Sequence, residues 1–489
     1  MSEDETLDKA DKDTLNKLFD YFSKFNCEVN KIDEETYFQL SEEYTTLESE
    51  KRDIINKVCD LYIDYCQKND FYDENDLVCK MFEKYGEENL PKYDYIIIDE
   101  VQDYTELQIY LLYKMCKNMG RIILAGDSHQ MINPTMFSVK RINELFYDYT
   151  NNNQNLKTEF LSKNYRCSQN IISVANKLSQ LRRKCIGSQE VKTEQDENSI
   201  RKGGASFRLN YSEENLLKMI NEIVKYPTAV ILVADESTKD KLIDLYGKEK
   251  YKDVVPSIYT VAEIKGMEYQ YVVCYNLINT FYDVWQKILN NSDSKRKTKY
   301  RFYFNLIYVA ITRAQDYLCF IDENLIPQIE DCLKLENIET FLRDQLCIED
   351  LVSDEEDWLK QAQHLEEQGL YADALKIYDK YFPENNEAIY RCEAHISEAD
   401  KDFETALQYY LLIEDINKVK KYINELDKES NLYKLSSVTT QLYNYTYDNG
   451  FDKEYIKSLV DKCYYNKNEK DKIMMFIIKL INKQLESMY

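Results

Sequence analysis

The sequence predicts an α/β protein with parallel sheets in its central section and an all-α tail. Short β-branched runs alternate with helical segments between residues 95 and 322, and strand-like runs cease beyond about residue 345. A pattern of apolar and aromatic residues then repeats with a shift of 32 residues. Continuous apolar strands separated by helices are typical of parallel sheets that are covered on both faces.

Four sections follow from these changes of character. Residues 1–93 are polar with apolar positions at helical spacing, which predicts helices. Residues 94–150 and 156–345 are the predicted first and second α/β domains, and 355–489 is the predicted helical tail. The predicted strands are YIIID (95–99), RIILAGD (121–127), TAVILVAD (228–235), YVVCYNLI (271–278) and YLCFID (317–322).

Composition limits the kinds of partner and compartment. The chain has 88 acidic and 63 basic residues and a net charge of -25, so any contact with nucleic acid requires a local basic groove. Thirteen cysteines without a CxxC pair indicate reduced thiols. The acidic start MSEDETLDKADKD is unlike a targeting peptide, and the most apolar stretch, 473–481, is too short to span a membrane. We therefore expect an intracellular protein, cytoplasmic or nuclear and not secreted.

Carboxylates follow the first predicted strand. Asp99 and Glu100 stand at the carboxyl end of YIIID, where a parallel sheet places its ligands. Phosphoryl transfer needs one acid to hold Mg²⁺ and another to orient or deprotonate the attacking water. An isolated Asp-Glu pair is more often a strand that merely ends in charge. This pair is not isolated, because the next strand ends in GDSHQ, and the Gln130 amide can contact a γ-phosphate or its attacking water.

Two arginines of the second α/β section are candidates for a nucleotide cleft. Arg166 lies in an extended run that leads into a helix, and Arg313 lies at a helix edge in VAITRA. Such arginines can reach across a cleft to a γ-phosphate bound on the first domain. For Arg166 alone, the alternative is a surface salt bridge.

Five segments, in order, resemble motifs II to VI of superfamily 1 helicases of the UvrD/Rep/PcrA group. The family patterns are DE-x-QD, GD-x-x-Q, NYR, T-x-H-x-AKG-x-EF and YVA-x-TRA, and the resemblance covers roughly residues 70–325. It implies RecA-like parallel-sheet motor domains, the first of them incomplete. It also implies an ATP-dependent motor that translocates on or unwinds single-stranded or duplex DNA, with RNA as a further option. The matching segments are DEVQD (99–103), GDSHQ (126–130), NYR (164–166), TVAEIKGMEY (260–269) and YVAITRA (308–314).

The resemblance also implies roles for particular residues. Asp99 and Glu100 would be the Mg²⁺ and water-activating carboxylates, Gln130 the γ-phosphate sensor, and Arg166 with Arg313 the arginines that stabilise transition-state charge. A loop within the TVAEIKGMEY segment (260–269) would link the nucleotide to the nucleic-acid track. Its members are Thr260 and Lys265 on the nucleic-acid side and Gly266 and Glu268 on the nucleotide side.

The chain departs from the family pattern at the phosphate-binding loop. None of its ten glycines stands in a Gly-Lys-[Ser/Thr] context, and Gly247-Lys248-Glu249 is the nearest match. Backbone amides and a lysine of such a loop cradle the β- and γ-phosphates. We therefore expect ATP and Mg²⁺ to bind only if the missing segment is supplied. Without this loop, the chain resembles the C-terminal portion of a longer helicase. The chain also departs from the family at motif V, where Ala262 stands at the position of the family's histidine.

Two basic clusters are candidates for phosphate contacts on nucleic acid. One is residues 182–184, and the other is Lys295, Arg296 and Lys297 with two further basic residues, Lys299 and Arg301. A solvated loop explains each cluster at least as well.

The tail contains the repeat. The first unit resembles a tetratricopeptide (TPR) helix pair, and UvrD-like motors joined to helical repeats occur in the TPR-and-ankyrin-repeat-containing proteins. The tail is therefore expected to bind a protein partner. The alternative to a motor is a catalytically inactive helicase-like scaffold that acts through this tail. The repeating residues are Tyr371, Ala374 and Tyr378, which recur as Phe403, Ala406 and Tyr410.

Overall fold

The computed structural model describes most of residues 61–426. The described residues are 61–68, 71–132, 135, 137–149, 157–187, 196–252, 257–290, 300–324, 326–413, 415–426, and 433, 436, 437, 440 and 441. They form two compact units. The first contains the described residues up to Leu351, except 224–228 and 247–257, which belong to the second unit with the tail.

The first α/β layer of unit 1 is small. Helix α1 (Glu74–Tyr85) starts at a capping box formed by Asp73 and Asp76. Strand β1 (Ile96–Ile98), helix α2 (Glu106–Met115), strand β2 (Ile122–Leu124) and helix α3 (Val139–Tyr149) follow. Strands β1 and β2 pair in parallel, with Ile97 opposite Ile123. One face of this pair packs on a core of buried side chains from β1, α2 and α3. The parallel pairing brings the carboxyl ends of both strands to one edge.

The second α/β layer is larger. Its elements in chain order are β3 (Lys163–Ser168), α4 (Gln169–Ile186), β4 (Asn198–Arg201), β5 (Ala205–Leu209), α5 (Glu213–Ile223), β6 (Ala229–Val233), α6 (Glu236–Tyr246), α7 (Lys248–Lys252), β7 (Ile258–Thr260), β8 (Tyr269–Tyr275), α8 (Tyr282–Leu289), α9 (Arg301–Thr312), β9 (Ala314–Ile321), α10 (Pro327–Leu333) and β10 (Glu336–Ile338). Six strands form one sheet in the order β10-β5-β9-β8-β6-β7, and β3 pairs with β4.

Every strand pair of these sheets is parallel. The prediction of an α/β fold with parallel sheets is therefore confirmed, and the two clusters of apolar strands lie in separate sheets. All five residues of β6 are buried, as expected for a strand that helices cover on both faces. Five strands, β3, β4, β5, β7 and β10, were not among the predicted ones, although β3 includes the run that was predicted to be extended. Among the described residues, no helix is long and apolar enough to cross a membrane.

The cysteines differ in part from the expectation of reduced thiols. Nine cysteines of the described part of the chain are free thiols. Cys79 is disulfide-bonded, so the expectation is wrong at that residue, which no spacing motif had marked. The predicted helices before residue 61 and the apolar stretch 473–481 lie outside the described residues.

Five helices make up the described tail, each packed against the next: α11 (Glu355–Glu367), α12 (Tyr371–Tyr381), α13 (Asn386–Ala399), α14 (Phe403–Leu412) and α15 (Ile416–Tyr422). Ala374 and Ala406, which are equivalent positions of the 32-residue repeat, are both fully buried. Small side chains let neighbouring helices approach closely. Tyr371 stacks on His395 with ring centroids 4.1 Å apart, and Phe403 stacks on Tyr422 at 5.1 Å.

The turns that end α11 and α13 repeat the same hydrogen bonds 32 residues apart. In the first, Gly369 N–H donates to Glu366 O (2.9 Å) and the next N–H reaches Leu365 O (2.8 Å). In the second, Lys401 N–H donates to Glu398 O (3.1 Å) and the next N–H reaches the equivalent carbonyl (2.9 Å). This is the Schellman arrangement of a helix end, and it needs a left-handed residue. Gly369 has φ 76° and Lys401 has φ 62°.

Polar contacts inside the tail repeat as well. The Tyr378 hydroxyl donates to Glu366 (2.5 Å), and the Tyr410 hydroxyl donates to Glu398. Glu398 also accepts from Lys418 Nζ at 2.7 Å. Burial of the Glu398 carboxylate opposes its ionisation, but the hydrogen bonds from Lys418 and Tyr410 outweigh it and lower its pKa to about 2.

Candidate functional site

The loop after β1 carries the two predicted metal-binding carboxylates. Asp99 and Glu100 are both exposed at the end of the strand. Glu100 has φ 50°, and its N–H donates to Asp99 Oδ1 at 2.9 Å. A left-handed glutamate is uncommon, and strained backbone of this kind concentrates at functional sites. The chain then turns through Val101–Asp103, where Gln102 is fully buried.

Gln102 pins the loop after β2 against the loop after β1. Its Oε1 accepts the Asp127 N–H at 3.0 Å, and its Nε2 donates to Glu100. A Cβ atom at Gly126 would lie 2.5 Å from Gln102 Oε1 and 2.8 Å from Val101 Cγ1. Only glycine fits this approach, so the Gly-Asp sequence brings two strand ends into one rigid edge.

Gln130 lies in a one-turn helix that Asp127 caps. Asp127 Oδ1 accepts the His129 N–H (2.8 Å), and Asp127 Oδ2 accepts from Gln130 Nε2 (3.0 Å). Burial opposes ionisation of Asp127, but the contacts from His129 and Gln130 prevail and lower its pKa. The orientation of the Gln130 amide is thus set by a charged acceptor.

Arg313 reaches this amide from the second α/β layer. The residue ends α9 and is 1% exposed. Its Nη2 donates to Gln130 Oε1 at 3.1 Å, and its Nη1 donates to Met267 O at 3.1 Å. Burial and the nearby Arg166 cation lower the pKa of Arg313, while the Glu268 and Glu100 carboxylates act in the opposite direction. The structure therefore brings Gln130, Arg313 and the charge of Glu100 together.

Arg166 is held beside this group. Its Nε pairs with Glu268 Oε1, and its side chain is 38% exposed. Asn164 Oδ1 accepts the backbone N–H groups of Arg166 (3.0 Å) and Cys167 (2.9 Å), so the side chain of the NYR segment shapes its own turn. Arg166 does form a salt bridge, but its partner belongs to the predicted nucleotide loop.

The loop 260–268 joins the two layers at a second point. Lys265 Nζ binds Asp103 Oδ2 at 2.6 Å, and Gly266 has φ 95°. Thr260 is 5% exposed, and its hydroxyl donates to Glu263 Oε2 at 3.0 Å. Both predicted nucleic-acid contacts are therefore engaged within the chain, and their role toward nucleic acid stays a prediction.

Of the two predicted basic clusters, the structure describes only residues 182–184. Arg182 is 3% exposed and donates from Nη1 to Asn305 Oδ1 at 3.2 Å. Arg183 donates to Asp196 at 2.6 Å. The interpretation of 182–184 as a phosphate-contact cluster is thus wrong for Arg182, because this side chain faces the interior. Residues 295–297 lie outside the described residues.

Two side chains that the sequence reasoning missed support the site. Glu197 Oε1 accepts from the Tyr308 hydroxyl (2.5 Å) and its Oε2 accepts from Asn164 Nδ2 (2.8 Å), which links the NYR segment to α9. Asn305 is fully buried in α9. An asparagine within the apolar run FNLIYVA was a usable signal for the second. Glu197 stands outside any apolar pattern, so the sequence held no such signal for it.

The donor set fits Mg²⁺ in part. Oxygen ligands such as the exposed Asp99 and Glu100 carboxylates are those that Mg²⁺ prefers, usually only one or two from the protein. In the described part of the chain, no group of three or more His, Cys, Asp or Glu side chains could hold a metal. The remaining ligands would therefore have to be water and phosphate oxygens.

Comparison with known proteins finds similarity to helicases over parts of the chain. Residues 2–133 match the family model of the UvrD/REP helicase N-terminal domain. A probable DNA helicase II homolog of Mycoplasma genitalium is 29% identical over 194 residues, 35% of this chain and 26% of that protein. A probable DNA helicase of Mycoplasma pneumoniae is 27% identical over 285 residues, 53% of this chain and 50% of that protein. Human TPR and ankyrin repeat-containing protein 1 is 22% identical over 354 residues, 62% of this chain and 12% of that protein. The matches thus span half or less of the length of these relatives.

Proposed function

Because this chain is related to the UvrD-like DNA helicases, we propose that it is part of an ATP-dependent motor that translocates on or unwinds nucleic acid. The observation that carries the proposal is the contact between Arg313 Nη2 and Gln130 Oε1. It joins the turn after β2 to the end of α9, 183 residues apart, near the edge where Asp99 and Glu100 follow β1.

The proposed roles follow from charge and hydrogen bonding. Arg313 and Arg166 supply cations for charge that develops on a γ-phosphate, an effect worth about 10³–10⁵ in rate in related enzymes. Gln130 offers an amide held by Asp127, so it can orient water or contact the phosphate. Bound Mg²⁺ would supply neutralisation of phosphate charge, with Asp99 and Glu100 as its protein ligands.

Two further parts of the proposal concern partners. Lys265 and Thr260 belong to a loop tied to Asp103 of the DEVQD segment, so a nucleic acid bound near this loop would be coupled to the nucleotide edge. The TPR-like tail, with its repeated helix-end turns and buried alanines, is proposed to bind a protein.

The test compares ATP hydrolysis by two proteins, with and without single-stranded DNA. The 489-residue chain should show none above background, since phosphoryl transfer depends almost wholly on positioning and this chain contains no Gly-Lys-[Ser/Thr] cradle. A version extended by an upstream P-loop segment should hydrolyse ATP. In the extended version, Glu100→Gln should abolish turnover, whereas Glu87→Gln, a half-exposed surface partner of Lys114, should not.

Three outcomes would contradict parts of the proposal. Hydrolysis that survives Glu100→Gln would overturn the assignment of the site. No hydrolysis by the extended protein would favour the alternative, an inactive helicase-like scaffold. Robust DNA-stimulated hydrolysis by the 489-residue chain alone would show that it contains a phosphate site of another kind.

A further inference from the structure

Asn305 lies between the two α/β layers of unit 1 and is fully buried. Its Nδ2 donates to Ser128 O (3.1 Å) and to Met131 O (2.8 Å). These carbonyls flank Gln130 on either side, so one amide group holds both ends of the turn that carries this side chain. None of the assigned motifs includes Asn305.

The orientation of the Asn305 amide is unambiguous. Arg182 can only donate, and the two backbone carbonyls can only accept. Oδ1 must therefore face Arg182 and Nδ2 must face the loop, as the structure has them. The buried Arg182 guanidinium thus keeps the Asn305 amide from flipping.

Asn305 and Arg313 lie on one continuous helical segment. Asn305 is in α9 and Arg313 ends it eight residues later, a separation of about 12 Å along the axis. The hydrogen bonds from Asn305 to the Gln130 turn therefore also fix the position of the Arg313 guanidinium relative to Gln130.

We infer that Asn305 is a positioning residue that sets the Gln130–Arg313 contact, acting through the backbone of the Ser128–Gln130 turn. The inference rests on the proposed function for its catalytic meaning, but not for its geometry. The Asn305 amide donates the hydrogen bonds that align the turn, and Arg182 holds that amide in its orientation.

The chain offers a matched control. Asn215 is 6% exposed, and its Nδ2 donates to Asn210 O (2.9 Å) and Glu339 O (3.0 Å) while its Oδ1 accepts the Phe341 N–H (3.0 Å). Like Asn305, it donates to two backbone carbonyls and accepts one hydrogen bond, here from a backbone N–H in place of a guanidinium, and it lies in the same unit away from the Gln130 turn. An Asn→Asp change at either site keeps the acceptor and replaces the donor with an oxygen facing two carbonyls.

The experiment is hydrogen exchange of backbone amides in the full 489-residue chain. Asn305→Asp should speed exchange in a peptide covering residues 126–132 about 10- to 100-fold, because two buried donations are lost and repulsion replaces them. Asn215→Asp should leave that peptide unchanged and speed exchange near residues 338–342. Asn305→Ser, which leaves room for a water, replaces Asn305→Asp if that variant does not fold, with the same local result expected.

Two results would overturn the inference. One is unchanged exchange in 126–132 for the Asn305 variants, and the other is an equal increase throughout unit 1 for the Asn305 and Asn215 variants. In the extended, P-loop-containing protein, Asn305→Asp should lower kcat about 10- to 100-fold with KM for ATP unchanged, and equal effects on both constants would count against positioning. If that protein hydrolyses no ATP, the proposed function fails while the exchange result still decides the role of Asn305.

Discussion

Replacing Glu398 by glutamine should weaken the tail, because Glu398 is the charged centre of its second repeat. The carboxylate is 20% exposed and accepts from Lys418, Tyr410 and Tyr422. These contacts lower its pKa from 4.5 to about 2 despite the opposing effect of burial. At about 1.4 kcal/mol for each pKa unit, the ionised form contributes at most about 3.5 kcal/mol to folding.

The expected loss for Glu398→Gln at pH 7 is about 1–3 kcal/mol of unfolding free energy, since solvent weakens the attraction to the partly exposed Lys418. The sign of the pH dependence follows from the depressed pKa. The stabilisation is complete above about pH 4.5 and is lost as the pH falls towards 2. The difference between the two proteins should therefore shrink from pH 7 to pH 3.

Urea unfolding of the full chain measures this, with the tail followed by Trp358 fluorescence in a Trp285→Phe background. These are the two tryptophans of the sequence, and Trp358 stacks on Tyr381 inside the tail at 4.4 Å. Glu387→Gln is the control, because this exposed side chain lies 3.9 Å from its partner and should change stability by about 0.5 kcal/mol or less. A change as small for Glu398→Gln would refute the reasoning.

Three further substitutions test other packing and charge arguments. Ala374→Leu should overpack the fully buried helix contact and cost about 1–3 kcal/mol in the same Trp358 assay, and no loss would mean that the repeat does not bring these helices close. Gly126→Ala should lower the melting temperature of unit 1, followed by Trp285, because the added Cβ would meet Gln102 Oε1 at 2.5 Å, and an unchanged melt would contradict that geometry. Burial raises the pKa of Asp322 to about 6, so the stability it contributes is complete below about pH 3.8 and lost as the pH rises through 6. Asp322→Asn should therefore melt higher than the parent at pH 8 and close to it at pH 4, and a lower melt at pH 8 would show that the charge is stabilising.

The strands that the sequence predicted are those with long apolar runs. Strand β6 is buried along its whole length, β8 at six of seven residues and β9 over its last four, so the apolar signal runs through consecutive residues. Strand β4 (Asn198–Arg201) has no buried residue, and β10 is three residues long with one buried side chain. Their place in a sheet depends on neighbours distant in sequence, which local patterns do not contain.

Candidate site residues were predictable where the residue type itself is demanded by chemistry. Gln130 and Arg313 follow from the motif pattern, but their contact joins positions 183 residues apart. Arg182 was misread because a run of basic residues usually faces solvent, whereas its burial beside Asn305 is a property of the folded layers alone. Tertiary context decided both cases.

The two Schellman turns of the tail differ in backbone strain. Gly369 adopts its left-handed backbone without strain, whereas Lys401 holds the same conformation at a cost of about 1–2 kcal/mol. Two turns with the same hydrogen bonds thus differ in the free energy that resists their rupture. Breaking the Lys401 turn would therefore release backbone strain that breaking the Gly369 turn would not.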